Sequence, residues 1–410
     1  MKPVLFRNAR LIDPAAGTDL RGDLLVAERV IAAVGQGLAA PVDAEIVEAN
    51  GKVLAPGLID STVFRTDVAA AVAGGITSVL LMPDQSPPLD DPALVERAER
   101  LGKPRLWVRP LAAATRGMNG RELAELSLMK EVGAVGVATG RAAIADAQVM
   151  LRLLRYAAGL GLVVVAHAEC PFLTAGAVAT EGAHATRLGL PSAPAAAEAV
   201  QIARDLRLAR EAGASLHIAC VSTAEGVALV REAQSAGQDV TAATAPAYAL
   251  LSETALAGYR SFARLSPPLR DETDRAAVRT GLADGTIGML ASRHDPRTEE
   301  DKRQPFAEAA PGAAGSATLL ALGLSLVHDG VLPLPRLLAT MSANPARRFG
   351  LPGGTLAPGA PADLVLFDLD APWRIDADTL PGMSGNTPFD GIPVSGRVLR
   401  LLKGGETLAP

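Results

Sequence analysis

Eight short apolar runs, each of strand length and separated from the next by a stretch of helical character, constrain this chain more than any other feature. They are Val53 to Ile59, Ser78 to Met82, Arg105 to Arg109, Ala134 to Val137, Leu162 to Ala166, Leu216 to Val221, Val240 to Ala243 and Ile287 to Ala291. The runs are nearly continuous rather than alternating, as strands are when both faces of a parallel sheet are covered. Between them, Ala195 to Leu206 repeats its apolar positions at helical spacing. Eight such units predict an α/β fold, a (β/α)8 barrel of the TIM type. Ala307 to Ala314, rich in Ala, Pro and Gly, reads as a loop.

The two ends of the chain follow a different rule. Residues 1–57 place short β-prone runs such as Val4-Leu5-Phe6 and Val30 to Val34 between turn signals, which predicts an antiparallel sheet. Residues 351–410 repeat the pattern with Asp363 to Asp368 and Gly396 to Leu402. Because chain termini often lie close together, the two segments are expected to pair into one small composite β-domain, leaving 58–350 to the barrel.

Composition narrows the function. Hydrophobic residues make up 49% of the chain but aromatic ones only 3%, so Ala, Val and Leu must fill the core. A formal net charge of −5, with no dense run of Lys or Arg, gives no grip on a polyanion, and no nucleic-acid partner is expected. Cys170 and Cys220 form neither a CxxC pair nor a disulfide framework, which fits a reducing compartment. No apolar run approaches the roughly 20 residues that span a bilayer, and charge interrupts the first residues early. The expectation is a cytoplasmic protein with no membrane partner.

In a barrel of this kind the reactive groups project from the C-terminal strand ends. Strand one ends in Asp60-Ser61-Thr62-Val63-Phe64-Arg65, and strand two in Met82-Pro83-Asp84-Gln85-Ser86-Pro87. Strand four ends in Ala138-Thr139-Gly140 with no carboxylate or lysine at its tip, and strand five in His167-Ala168-Glu169. Strand six carries His217 and Cys220, and strand eight runs into Ser292-Arg293-His294-Asp295-Pro296-Arg297.

Several segments then resemble, in order and spacing, those of the dihydroorotase branch of the cyclic amidohydrolases. Pro56-Gly57-Leu58-Ile59-Asp60 is similar to the family's opening strand motif, Ala73-Gly74-Gly75-Ile76-Thr77 to its next helix end, and Met82 to Pro87 to its Met-Pro-Asn-Thr-Asn-Pro loop. Pro267-Pro268-Leu269-Arg270, Asp284-Gly285-Thr286-Ile287, Asn344-Pro345-Ala346 and Asn386 to Gly391 extend the likeness over nearly the whole chain. The resemblance implies a metal-dependent barrel hydrolase of pyrimidine synthesis that interconverts carbamoyl aspartate and dihydroorotate. It also implies the ligands: a His-x-His pair on strand one, a carboxylated Lys or Asp on strand four, a His on each of strands five and six, and an Asp on strand eight. A metal there would lower the pKa of bound water toward about 7 and polarise the amide carbonyl.

Against that pattern this chain has Thr62 and Phe64 at the His-x-His positions, Ala138 and Thr139 on strand four, Cys220 on strand six and Arg293 on strand eight. Only His167 is kept. Ser86 stands where the family has its substrate-binding Asn, and the shortened segment after strand one leaves the match of Arg65 to the family's substrate arginine open. Cys220 then reads as a small buried residue, His217 as packed against helices and His167 as bonded to a neighbouring carbonyl. A rearranged zinc site drawn from His167, Cys220, His294, Glu169 and Asp295 is the alternative. Asp60 reads as a strand-end cap, Glu198 and Arg204 as helix residues at a spacing that suits surface pairing or packing rather than catalysis, and His184 and His328 as packing or surface residues. Arg293 with Asp295, or Arg297 with Glu299 and Glu300, are candidate ion pairs.

The leading expectation is a non-catalytic dihydroorotase homologue with no cofactor. It would act as a structural partner of aspartate carbamoyltransferase in a homo- or hetero-oligomer, the partner being implied by the resemblance alone. The alternative is an active cyclic amide hydrolase on a rearranged zinc site. A third reading is a binding protein whose anion pocket uses Arg293, Arg65, His294 and the Ser86 loop.

Overall fold

The computed structural model describes residues 2–408. Its centre is a parallel sheet of eight strands in sequential order: Leu58–Val63, Ile76–Leu81, Trp107–Ala113, Gly136–Ala138, Val164–Ala166, Leu216–Ile218, Val240–Thr244 and Met289–Leu290. The sheet curls on itself: just beyond the eighth strand His294 bridges Val63 in parallel, and Phe64 N donates to His294 O at 2.9 Å. This is the (β/α)8 barrel.

Alternation along each strand sorts the side chains into two cores. Leu58, Val79 and Ala112 face the helices, whereas Ile59, Leu80 and Leu111 fill the barrel interior, where Ala346 and Phe349 of the helix Ala343–Phe349 also pack. The helices owe their ends to local chemistry. Asp146 caps Ala147–Leu160 by accepting from Gln148 N and Val149 N, and Gly161 ends it at φ 64°, where a side chain would be strained. No helix among the described residues is long and apolar enough to cross a membrane.

A second sheet joins the two ends of the chain. Its order is Glu406–Leu408, Pro393–Lys403, Leu364–Arg374, Val53–Pro56, Val4–Asp13, Thr18–Ala27 and Val30–Gly35, with Glu45–Glu48 also paired to Val4–Asp13. The N-terminal and C-terminal segments meet antiparallel, Val53 to Pro56 against Leu364 to Phe367. The expected antiparallel N-terminal sheet is found for Val4–Asp13, Thr18–Ala27 and Val30–Gly35, but Val4–Asp13 runs parallel to both Glu45–Glu48 and Val53–Pro56, which corrects the rest of that expectation. The first apolar run is also not one barrel strand. It divides at Gly57, where a Cβ would come within 2.4 Å of the Thr77 side chain, and its first half belongs to the terminal sheet.

Candidate functional site

The C-terminal strand ends surround a cavity of about 210 Å³, walled by residues that include Phe64, Arg141, Tyr248, Leu265, Arg293 and Phe389. Phe64, buried at the end of the first strand, sits at the focus: the guanidinium carbons of Arg141 and Arg293 lie 4.2 and 5.5 Å from its ring centroid. Such cation–π contacts place positive charge on the aromatic face.

Arg141 follows the fourth strand and is held by carboxylates from two others. Its Nε and Nη2 donate to Asp295 Oδ2 and Oδ1 at 3.0 and 2.8 Å, while Asp84 lies 3.5 Å away and accepts from the Arg141 backbone N–H at 2.9 Å. Burial pushes the Asp84 carboxyl above its usual range, with Arg141 opposing the rise. Asp295 also accepts from Arg297 at 2.6 Å, so the expected pairs are corrected: Asp295 joins Arg141 and Arg297, not Arg293, and Arg297 leans on Asp295 rather than on Glu299 or Glu300. Gly140 lets the strand end approach, since a Cβ there would lie 2.7 Å from the Asp84 carboxylate. Sequence reading missed Arg141 because only carboxylates and lysine were sought on strand four; a cation just after Thr139-Gly140 was the available signal.

The other positions singled out from the sequence divide into buried groups and surface groups. Thr62 is fully buried, and Thr139 Oγ1 accepts from the His167 backbone N–H at 2.9 Å. The His167 ring is directed not at a carbonyl but at Glu169 Oε2, 3.4 Å from Nε2. Glu169 is also approached by Arg270 Nη2 at 3.3 Å. Burial alone would raise the Glu169 carboxyl, yet the His167 hydrogen bond and the nearby positive charges hold it below the usual range. Burial pushes the Cys220 thiol up to about 12, so no thiolate is available at neutral pH. His217 is fully buried and packs edge-on against Phe349 of the helix Ala343–Phe349 at 5.7 Å, with Nδ1 2.8 Å from Thr241 Oγ1, and burial pulls its pKa down to about 3.

His294 is almost fully buried and does not wall the cavity: its Nδ1 accepts from Gly315 N at 3.1 Å and Ser316 N at 3.3 Å, which leaves Nε2 to carry the proton toward Asp67, 3.5 Å away. Asp60, fully buried, accepts from Ser292 N at 2.9 Å and from the Ser292 and Ser316 hydroxyls, and burial pushes its carboxyl up. Arg65 and Ser86 are exposed and lie outside the cavity wall. His184 is half-buried and His328 exposed.

Of the two readings open for Glu198, surface pairing or packing, the structure shows packing. The side chain is fully buried and accepts from Ser222 N and Thr223 N, each at 2.9 Å, and from Thr223 Oγ1 at 2.8 Å. Arg270 completes the cluster by donating to Ser222 Oγ at 3.0 Å and Thr180 Oγ1 at 3.1 Å. Arg204 pairs with Asp205 at 2.7 Å instead.

Tested against a divalent ion, this donor set does not fit. Among the described residues no three or more His, Cys, Asp or Glu side chains group so as to hold one. His167 is turned to Glu169, His294 spends Nδ1 on backbone N–H groups, and two guanidinium groups face the ring between the strand ends.

Residues 50–408 match the family model described as "Amidohydrolase family". The chain belongs to that family. Among its amidohydrolase relatives, a dihydroorotase of Pelobacter propionicus is 39% identical, with 99% of each chain covered. A dihydroorotase of Pelotomaculum thermopropionicum is 40% identical over 98% of this chain and 95% of its own. Among solved amidohydrolase structures, the L-hydantoinase (dihydropyrimidinase) of Arthrobacter aurescens superposes with a TM-score of 0.90 at 28% identity, covering 100% of this chain and 96% of that one.

Proposed function

We propose that this amidohydrolase is a dihydroorotase-like protein of pyrimidine synthesis that has left metal-dependent hydrolysis. Phe64, packed against the guanidinium groups of Arg141 and Arg293, carries the reading. Hydrolysis of a cyclic amide at neutral pH needs an activated water and a polarised carbonyl. A divalent cation placed beside the guanidinium of Arg293 would be repelled in a medium of low dielectric constant, whereas the charge of Arg141 is already matched by Asp295 and Asp84. The barrel then serves as a scaffold, and a structural partnership with aspartate carbamoyltransferase in a hetero-oligomer is the role we assign to it.

A second reading has a specific observation in its favour: full-length relatives at 38–40% identity bear the name dihydroorotase. It makes the chain an active cyclic amide hydrolase with a rearranged zinc site involving His167. Metal analysis of the purified chain together with a dihydroorotate turnover assay separates the two. Substoichiometric zinc and no turnover are expected, and one zinc per chain with turnover would reverse the order of the readings. Co-expression with the transferase followed by size-exclusion chromatography tests the partnership, and two separate peaks would refute it.

A further inference from the structure

We infer that the seam between the barrel and the terminal sheet is a binding site for a small carboxylate with an apolar body, its anionic group held by Arg397 and its body laid against the helix Leu319–His328. None of the residues lining this site walls the cavity at the mouth, and its occupancy does not depend on what the mouth does.

A cavity of about 350 Å³ lies in the seam, larger than the one at the mouth and within the roughly 300–1,000 Å³ range of small-molecule sites. Leu320, Ala321 and Val398 supply apolar lining, and Trp373 adds an aromatic one. Such sites favour the junctions between domains, and this junction is tight. Gly396, at φ 106°, lies where any side chain would overlap Leu324 of the helix Leu319–His328.

Arg397 lacks the partner that its position offers. In register it stands opposite Asp368, but Asp368 is taken by Lys52 at 2.5 Å, and the Arg397 guanidinium carbon lies 4.9 Å from the Trp373 ring centroid. Among the described residues Arg397 makes no ion pair and no side-chain hydrogen bond. The other charged groups lining the cavity are turned to backbone: Arg374 Nε donates to Gly391 O at 2.9 Å, and Asp376 Oδ1 accepts from Asp378 N at 3.0 Å. Trp373 is fixed in place. Extra residues in Leu364–Arg374, between the pairs Asp368–Arg397 and Pro372–Ser395, re-aim that strand, and the indole N–H donates to Gly396 O at 2.8 Å. A guanidinium stacked on an aromatic ring keeps its N–H edge free, and that edge matches the two oxygens of a carboxylate.

The test is isothermal titration of the full-length chain with benzoate and with benzamide, which share an apolar ring and differ in charge. Benzoate is expected to bind at least about tenfold more tightly, as a charge-assisted pair requires, and to change the tryptophan fluorescence. Arg397→Gln should remove the preference, Trp373→Phe should remove the fluorescence change, and Arg293→Gln, at the mouth, should leave both intact. Equal binding of the two probes by the unaltered chain, or no binding, overturns the inference without recourse to any variant. So does a preference that survives in a folded Arg397→Gln protein, a fluorescence change that survives Trp373→Phe, or the loss of either in Arg293→Gln.

Discussion

Arg141 and Asp295 form a two-pronged ion pair that fastens the end of the fourth strand to the loop after the eighth, with nitrogen to oxygen distances of 3.0 and 2.8 Å. Asp295 is nearly buried and serves Arg297 as well. Removing it leaves Arg297 without an ion pair and Arg141 with Asp84 at 3.5 Å alone, whereas removing Arg141 leaves Asp295 still paired with Arg297. Asp295→Ala should therefore cost about 3 kcal/mol of unfolding free energy, and Arg141→Gln, at a side chain one-third exposed, only about 1 kcal/mol. Urea denaturation of both variants checks the ranking, and equal losses would show that the pair is not the shared anchor.

Glu198 gives a second prediction. A fully buried carboxylate that accepts from two backbone N–H groups and two hydroxyls orders the turn between the sixth strand and the helix Ala224–Ser235. Glu198→Ala strands those donors and removes the counter-charge 3.7 Å from Arg270, for an expected loss of about 3–5 kcal/mol. Glu198→Gln, which keeps acceptor geometry on one oxygen, should lose less. A Glu198→Ala protein as stable as the unaltered chain would contradict this role.

How much of this was legible beforehand follows from the kind of signal involved. The barrel was visible because each strand announces itself through several consecutive apolar residues, and the sheet from both chain ends because the strand-forming runs Val53–Pro56 and Leu364–Phe367 are equally local. Direction was less legible: nothing in the composition of Val4–Asp13 distinguishes a parallel neighbour from an antiparallel one. The mouth was harder still. Arg141, Asp84 and Asp295 lie far apart in sequence and meet only because the barrel closes, and nothing near Glu198 in sequence separates packing from surface pairing, because its partners Ser222 and Thr223 come from the turn after the following strand.

The two cysteines should differ sharply in reactivity. Cys220 is buried with a thiol pushed up to about 12, while Cys170 is partly exposed. At pH 8 a thiol of that acidity is deprotonated in only about one molecule in ten thousand, too few to attack a disulfide reagent at an appreciable rate. A thiol-exchange reagent is expected to modify Cys170 alone in the folded chain and both residues in guanidinium. Rapid native labelling of Cys220 would also reopen the question of a thiolate ligand at the mouth.

Lys302 sets the pH dependence of stability beneath the loop that carries Arg297. Its ammonium is buried and, among the described residues, donates only to the carbonyls of Ser261 and Arg264, at 3.1 and 3.3 Å. Burial, with Arg297 and Arg264 adding repulsion, brings its pKa down from 10.5 to about 7. Below pH 7 both the folded and the unfolded chain hold the proton, and the folded state bears the whole cost of a buried charge. Between about pH 7 and 10.5 only the unfolded chain stays protonated, so folding releases a proton and stability climbs with pH by a few kcal/mol. Lys302→Met lacks this titration. The difference in unfolding free energy between the unaltered chain and Lys302→Met should therefore shift toward the unaltered chain across that window and level off above it, the groups common to both cancelling. Parallel curves from pH 7 to 10 would mean that Lys302 titrates as an ordinary exposed lysine.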